Sequence, residues 1–191
     1  MKNNNYYFYK TIRFILKPFF YLYYNPKVTG KENIPKDGPI IIASNHIHAY
    51  DQSFPILSTK RVINYLAKKE YFDGKNAWFF KLSGCIPVDR TTKDENAKSA
   101  AFEVLNNNGA VGIFPEGTRN RTDKLILDFK FGVVSLAKKT NATIVPIGVK
   151  GTYKFRSKNL VAKIGKPFKI DNLDLNEANI LLKETIEELL K

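Results

Sequence analysis

Residues 39–51 read Pro39-Ile40-Ile41-Ile42-Ala43-Ser44-Asn45-His46-Ile47-His48-Ala49-Tyr50-Asp51. The first six are apolar and partly β-branched with no helical period, the pattern of a strand buried on both faces. The polar remainder carries both histidines of the chain. A loop leaving the carboxyl end of a buried strand is where open α/β sheets place ligands. His46 and Asp51 are the minimum for a general base held in one tautomer by a carboxylate. Five residues apart on a continuous helix, their side chains would diverge by about 140°. Their pairing therefore requires the chain to bend between them, as at a strand-to-helix turn.

The flanking segments extend this pattern in both directions. Residues 61–67 (RVINYLA), 110–114 and 143–149 read as further strands. Residues 94–107 have a helical period, with Ala97, Ala100, Ala101, Val104 and Leu105 on one side, and stop at Asn106-Asn107-Asn108-Gly109. Residues 131–139 form a second helix. Residues 176–190 form a closing amphipathic one, with Asp174 and Glu177 spaced as a capping box. Strands separated by helices predict an α/β fold: a single domain over residues 26–191, with a mixed, largely parallel sheet flanked by helices.

Residues 1–25 differ from the rest. They are rich in aromatics, and Lys10, Arg13 and Lys17 interrupt any apolar run, so neither a secretory signal nor a spanning helix is expected. On a helix the three cations fall within roughly 60° of one another, while Phe8, Ile12, Phe14, Ile15, Leu16 and Phe19 occupy the remaining circumference. This predicts an amphipathic arm lying in a membrane interface, cations toward anionic lipid. The alternative is a helix packed on its own domain with a solvated basic stripe.

Of 191 residues, 31 are Lys or Arg and 18 Asp or Glu, a formal charge of +13. That balance suits anionic partners such as phospholipid headgroups, phosphorylated substrates or nucleic acid. The lysines are scattered from Lys2 to Lys191 and no nucleic-acid motif is present, so nucleic acid is not expected as a partner. One cysteine excludes a disulfide framework, and two histidines with one cysteine do not supply a closed zinc site, so no metal is expected.

Three further blocks carry candidate chemistry. Gly84-Cys85-Ile86-Pro87-Val88-Asp89-Arg90 sets an arginine after an apolar turn. Phe114-Pro115-Glu116-Gly117-Thr118-Arg119 sets a carboxylate, a flexible glycine and an arginine at a strand end. Val145-Pro146-Ile147-Gly148-Val149 is a strand broken by proline. With Asn45-His46 and Asp51, these blocks in this order resemble the signature of glycerolipid acyltransferases. The resemblance is strongest to the bacterial 1-acyl-sn-glycerol-3-phosphate acyltransferase (lysophosphatidate acyltransferase) family, and it runs from Gly30-Lys31-Glu32-Asn33-Ile34-Pro35 to Gly165-Lys166-Pro167-Phe168.

The resemblance implies His46 as general base and Asp51 as its orienting carboxylate. It implies substrate-binding roles for Asn45, Arg90, Glu116, Gly117, Thr118 and Arg119, and places Pro146 on the acyl-donor side. Arginine offers a planar fork of donors suited to phosphate. Gly117 permits positive φ and close backbone approach. Glu116 is open between holding the acceptor's hydroxyl and locking Arg119. The implied reaction moves an acyl group from acyl-CoA or acyl carrier protein to lysophosphatidic acid, making phosphatidic acid at the cytoplasmic face of the cell membrane, with no cofactor. Another acceptor within the same chemistry is the alternative, and a non-catalytic lipid-binding protein a more distant one.

Two positions depart from the family pattern. His48 stands where a small hydroxyl residue is usual and competes as the base; Asn45 before His46 favours His46. Asn120-Arg121-Thr122-Asp123-Lys124 replaces a glycine-containing turn after Arg119. Cys85 is expected to be a packed, inert thiol. Trp78-Phe79-Phe80 is expected in the core, with an acyl pocket or membrane contact as the alternative.

Overall fold

The computed structural model describes residues 3–191, and side chains from Tyr6 onward. The elements in chain order are α1 (Asn3–Tyr24), β1 (Lys27–Thr29), β2 (Ile40–Ser44), α2 (Ser53–Ser58), β3 (Ile63–Lys68), α3 (Ala77–Leu82), β4 (Ile86–Val88), α4 (Glu95–Asn106), β5 (Ala110–Ile113), α5 (Gly132–Thr140), β6 (Thr143–Lys150), β7 (Val161–Ile164) and α6 (Leu175–Leu190). Seven strands form one sheet in the order β1-β7-β6-β2-β5-β3-β4. Every pairing is parallel except β6 with β7. The sheet is thus mixed and largely parallel, as the sequence predicts.

β2 lies between β6 and β5, and all five of its residues are buried. Its side chains alternate across the sheet, as strand geometry requires. Ile41 and Ala43 join the core that α4, α5 and α6 cover, built on Ala101, Leu105, Val133, Leu182 and Ile186. Ile40 and Ile42 join Phe54 of α2, Ile63, Val145 and Ile147 on the opposite face, against which Phe20 and Tyr24 of α1 pack. Gly112 on β5 is required by close approach: a Cβ there would stand 2.4 Å from the ring of Tyr65.

Element ends differ from the predicted ones for identifiable reasons. Arg61 precedes its strand, its backbone amide donating to the Thr59 hydroxyl at 3.2 Å and its guanidinium to the carbonyls of Pro35, Gly38 and Asn108. Asp94 caps α4, accepting from the Ala97 amide at 2.9 Å. The Asp174–Glu177 capping box of α6 is present.

Helix α1 is packed along one side and bare along another. Tyr9 is buried and its hydroxyl accepts the Ile63 amide, Phe20 meets Phe54 edge-on at 5.6 Å, and Phe8 meets Trp78 and Phe79. Phe14 is 81% exposed, and Phe19 and Leu22 are each about two-thirds exposed. Arg13 corrects the predicted cationic stripe: its guanidinium donates to the Thr59 carbonyl at 2.7 Å and so faces the domain. Among the described residues, no helix is long and apolar enough to cross a membrane.

Candidate active site

Because β2, β3, β4, β5 and β6 run parallel, their carboxyl ends share one edge of the sheet. His46 follows β2, Arg90 follows β4, and residues 114–119 follow β5. After β2 the chain turns sharply before α2, and that turn brings His46 and Asp51 together. His46 Nδ1 lies 2.8 Å from Asp51 Oδ2, which also accepts the amides of Ile47 and His48, each at 2.7 Å. The Asp51 side chain is fully buried and that of His46 is 12% exposed. With Nδ1–H donated to the carboxylate, Nε2 is left to the cavity that His46 lines. The imidazole stacks on Phe114 at 3.8 Å, nearly parallel.

His48 is held differently. Its Nδ1 accepts the Tyr50 amide at 3.3 Å, and its ring stacks on Tyr153. Burial lowers its proton affinity, Asp51 opposes this, and Arg119 and His46 add to the lowering. Its ring makes no bond to Asp51; only its backbone amide does.

Two of the predicted binding residues, Asn45 and Glu116, have their side chains bonded to backbone groups. Asn45 is buried, and its amide donates to the Val149 carbonyl at 2.8 Å and accepts the Val149 amide at 2.7 Å, clasping the histidine turn to β6. Glu116 is also buried; it accepts the His46 amide at 2.6 Å and the Leu127 amide at 2.9 Å, contacting neither Arg119 nor a solvent-facing position. Burial raises its proton affinity, and these two donors partly offset that. Pro146 is buried within β6, in register with Ala43, away from the cavity. Gly117 does take positive φ, +71°, with the Lys130 side chain against it.

Arg90, Thr118 and Arg119 line a cavity of about 1040 Å³ together with His46 and Phe114. That is slightly above the usual range for small-molecule sites, about 300–1,000 Å³. Arg121, in the segment departing from the family pattern, and Arg13 of α1 bring the guanidinium groups in the lining to four. The apolar lining comes from Ile12, Leu16 and Phe20 of α1, Leu57 of α2, and Phe79 and Phe80 of α3. Trp78-Phe79-Phe80 is therefore not core: Trp78 is 56% exposed and its two neighbours wall the cavity. Cys85 lines it too, with burial pushing the thiol up to about 11. Among the described residues, no group of three or more His, Cys, Asp or Glu is placed to hold a metal ion.

Sequence reasoning missed Tyr153, whose hydroxyl donates to Asp51 Oδ1 at 2.5 Å. Nothing near Asp51 in the chain signals a partner 102 residues away. Phe114 opens the block that runs to Arg119, but its stacking on His46 has no sequence signature.

A carboxylate-held imidazole thus stands at an apolar cavity that also carries guanidinium groups. The chain belongs to the Acyltransferase family, whose profile matches residues 25–150. It is 35% identical over 141 residues to the 1-acyl-sn-glycerol-3-phosphate acyltransferase of Borreliella burgdorferi, covering 72% of this chain and 56% of that protein. It is 32% identical over 151 residues to the Bacillus subtilis protein of the same name, covering 74% and 72%. The crystal structure of the 1-acyl-sn-glycerophosphate (LPA) acyltransferase PlsC from Thermotoga maritima superposes with a TM-score of 0.80 at 25% identity, over all of this chain and 82% of that one.

Proposed function

We propose that the protein transfers a fatty acyl group from an acyl thioester, acyl-CoA or acyl carrier protein, to the free hydroxyl of lysophosphatidic acid, making phosphatidic acid. The observation that carries this reading is the His46–Asp51 pair, with Nε2 of His46 left to a cavity lined by both guanidinium groups and apolar side chains. Nε2 takes the proton from the acceptor hydroxyl as its oxygen attacks the thioester carbonyl. Asp51 stabilises the imidazolium that forms. The tetrahedral intermediate collapses with cleavage of the C–S bond, and the departing thiolate recovers the proton from His46. No protein side chain is acylated.

Arg90, Arg119 and Arg121 supply charge-assisted donors for a phosphomonoester dianion, which a lining rich in cations suits better than a zwitterionic headgroup. The exposed Phe14, Phe19 and Leu22 support a peripheral seat on the cytoplasmic face of the cell membrane, where an amphiphilic acceptor resides. In this reading α1 serves both alternatives drawn from the sequence, packing on the domain along one side and meeting lipid along another.

The test is thiol release from palmitoyl-CoA with lysophosphatidic acid or glycerol-3-phosphate, wild type beside His46→Ala. Release that requires lysophosphatidic acid and disappears in the variant supports the reaction, the acceptor and the base together. Release with glycerol-3-phosphate alone reassigns the acceptor. Triple replacement of Phe14, Phe19 and Leu22 by Ser is expected to abolish sedimentation with anionic vesicles while leaving the thermal midpoint in place. Undiminished sedimentation would remove α1 from the membrane contact.

A further inference from the structure

Asp51 receives four hydrogen bonds in a fully buried position. Three fall on Oδ2, from the ring of His46 and the amides of Ile47 and His48; the fourth falls on Oδ1, from the hydroxyl of Tyr153. The first three donors belong to the same turn as Asp51. Tyr153 arrives from the segment beyond β6, and that segment is firmly built. The side chain of Asn159 accepts from the Thr152 amide and from the hydroxyls of Thr152 and Ser157, and the backbone turns tightly at Gly151, φ +104°. The Tyr153 ring is sandwiched, stacked on His48 at 4.1 Å and meeting Tyr24 of α1 edge-on at 5.5 Å.

We infer that Tyr153 is a positioning residue that acts through Asp51 on His46, moderating the pull of the carboxylate on the imidazole. The inference rests on the reading of His46 as the base. A hydrogen bond to one carboxylate oxygen draws negative charge toward itself and away from the other. With the Tyr153 hydroxyl in place, Asp51 orients His46 while turning less of its charge toward the imidazole. The three bonds to Oδ2 hold the carboxylate in place when the fourth is removed, so charge rather than position is what changes. The other titratable and charged groups around the imidazole and its cavity include Glu116 on its backbone amide, His48, Tyr50, Cys85, Lys68 and the arginines Arg13, Arg90, Arg119 and Arg121; Tyr65 lies behind Phe114. None of these bonds to Asp51 Oδ1.

The experiment compares wild type with Tyr153→Phe, which keeps the ring and its stacking, and with 3-fluorotyrosine at position 153, a stronger donor. Two quantities are read: the pH–rate profile, and the resonance of the hydrogen-bonded His46 Nδ1 proton by NMR, which a chain with two histidines makes straightforward to assign. In Tyr153→Phe the acid limb is expected to move up by about 0.5–1 pH unit, a part of what one lost charge-assisted bond supplies. KM should stay within about two-fold, and the Nδ1 proton should move downfield. The 3-fluorotyrosine protein should shift both quantities the other way. If neither quantity moves, or only the thermal midpoint falls, Tyr153 is a packing residue and the inference is overturned. If wild type transfers no acyl group to any acceptor, the functional reading fails, and the proton resonance still decides the inference by itself. Should Tyr153→Phe not fold, the 3-fluorotyrosine protein decides it in the same way.

Discussion

Glu116 grips two loops at once: one carboxylate oxygen takes the amide of His46 and the other the amide of Leu127, 11 residues further along from Glu116. The carboxylate thereby ties the histidine turn after β2 to the segment that follows the arginine block after β5. Its two hydrogen bonds thus fix the shape of the site.

Replacing Glu116 by Gln sets an NH₂ against one of two buried N–H donors. Leaving one such donor unpaired costs about 1–3 kcal/mol. Urea unfolding of Glu116→Gln should show a loss of that size, and kcat should fall more than acceptor affinity. The pH dependence has a definite sign. Burial raises the folded-state proton affinity of Glu116 above its ordinary value of 4.5. Its contribution to stability is therefore full below 4.5 and is lost as pH rises through the raised value. Wild type should lose stability relative to the variant over that window. A raised acceptor KM with unchanged stability would return Glu116 to the substrate.

His46→Ala should lower kcat by about 10²–10⁴-fold, the range for a lost general base. His48→Ala should cost less than about tenfold, because its ring makes no bond to a carboxylate and its Nδ1 is occupied by the Tyr50 amide. Steady-state kinetics on the two variants decides the matter, and the opposite ranking would transfer the role to His48.

Cys85 is a built-in probe of the cavity. With its thiol raised from 9.0 to about 11, the reactive thiolate is about 100-fold scarcer at pH 8 than for an unperturbed cysteine. Iodoacetamide should therefore react correspondingly slowly, gain about tenfold per pH unit through pH 10, and level off above about 11. A palmitoyl thioester seated in the cavity should slow it further. Labelling at the rate of a free thiol at pH 8 would contradict the burial of this side chain.

Gly112→Ala should destabilise the domain, because the added methyl would stand 2.4 Å from the Tyr65 ring. Overpacking of this kind typically costs about 1–3 kcal/mol. Because Tyr65 stacks behind Phe114, on which His46 lies, activity should fall as well. An unchanged urea midpoint would mean that Tyr65 has room to move.

The parts of the fold that could be read from the sequence are those with long patterns. β2, β5 and β6 are runs buried throughout or nearly so, and α4 and α6 carry a clear helical period closed by recognisable caps. β1 and β4 lie at the sheet's two edges and have three residues each, too few for a period to emerge. α2 and α3 have six residues each and pass as loop for the same reason. In the site, His46 and Asp51 were legible because both partners lie within one turn. For Asn45 and Glu116 the motif marks a residue as needed without saying that its side chain bonds backbone amides and carbonyls. Tyr153 and the Asn45–Val149 clasp join residues 102 and 104 apart, and no local pattern reports such a pairing.

That clasp has a consequence for how the chain is finished during synthesis. The histidine turn is among the earlier parts of the domain to leave the ribosome, yet Asn45 waits for Val149 and Asp51 for Tyr153. A nascent chain that has reached Thr140 carries every residue of the His–Asp turn and of the arginine blocks, but β2 still lacks its β6 neighbour and the turn its outer anchors. The site is therefore assembled late, and its competence reports on the completion of β6 and the segment beyond it.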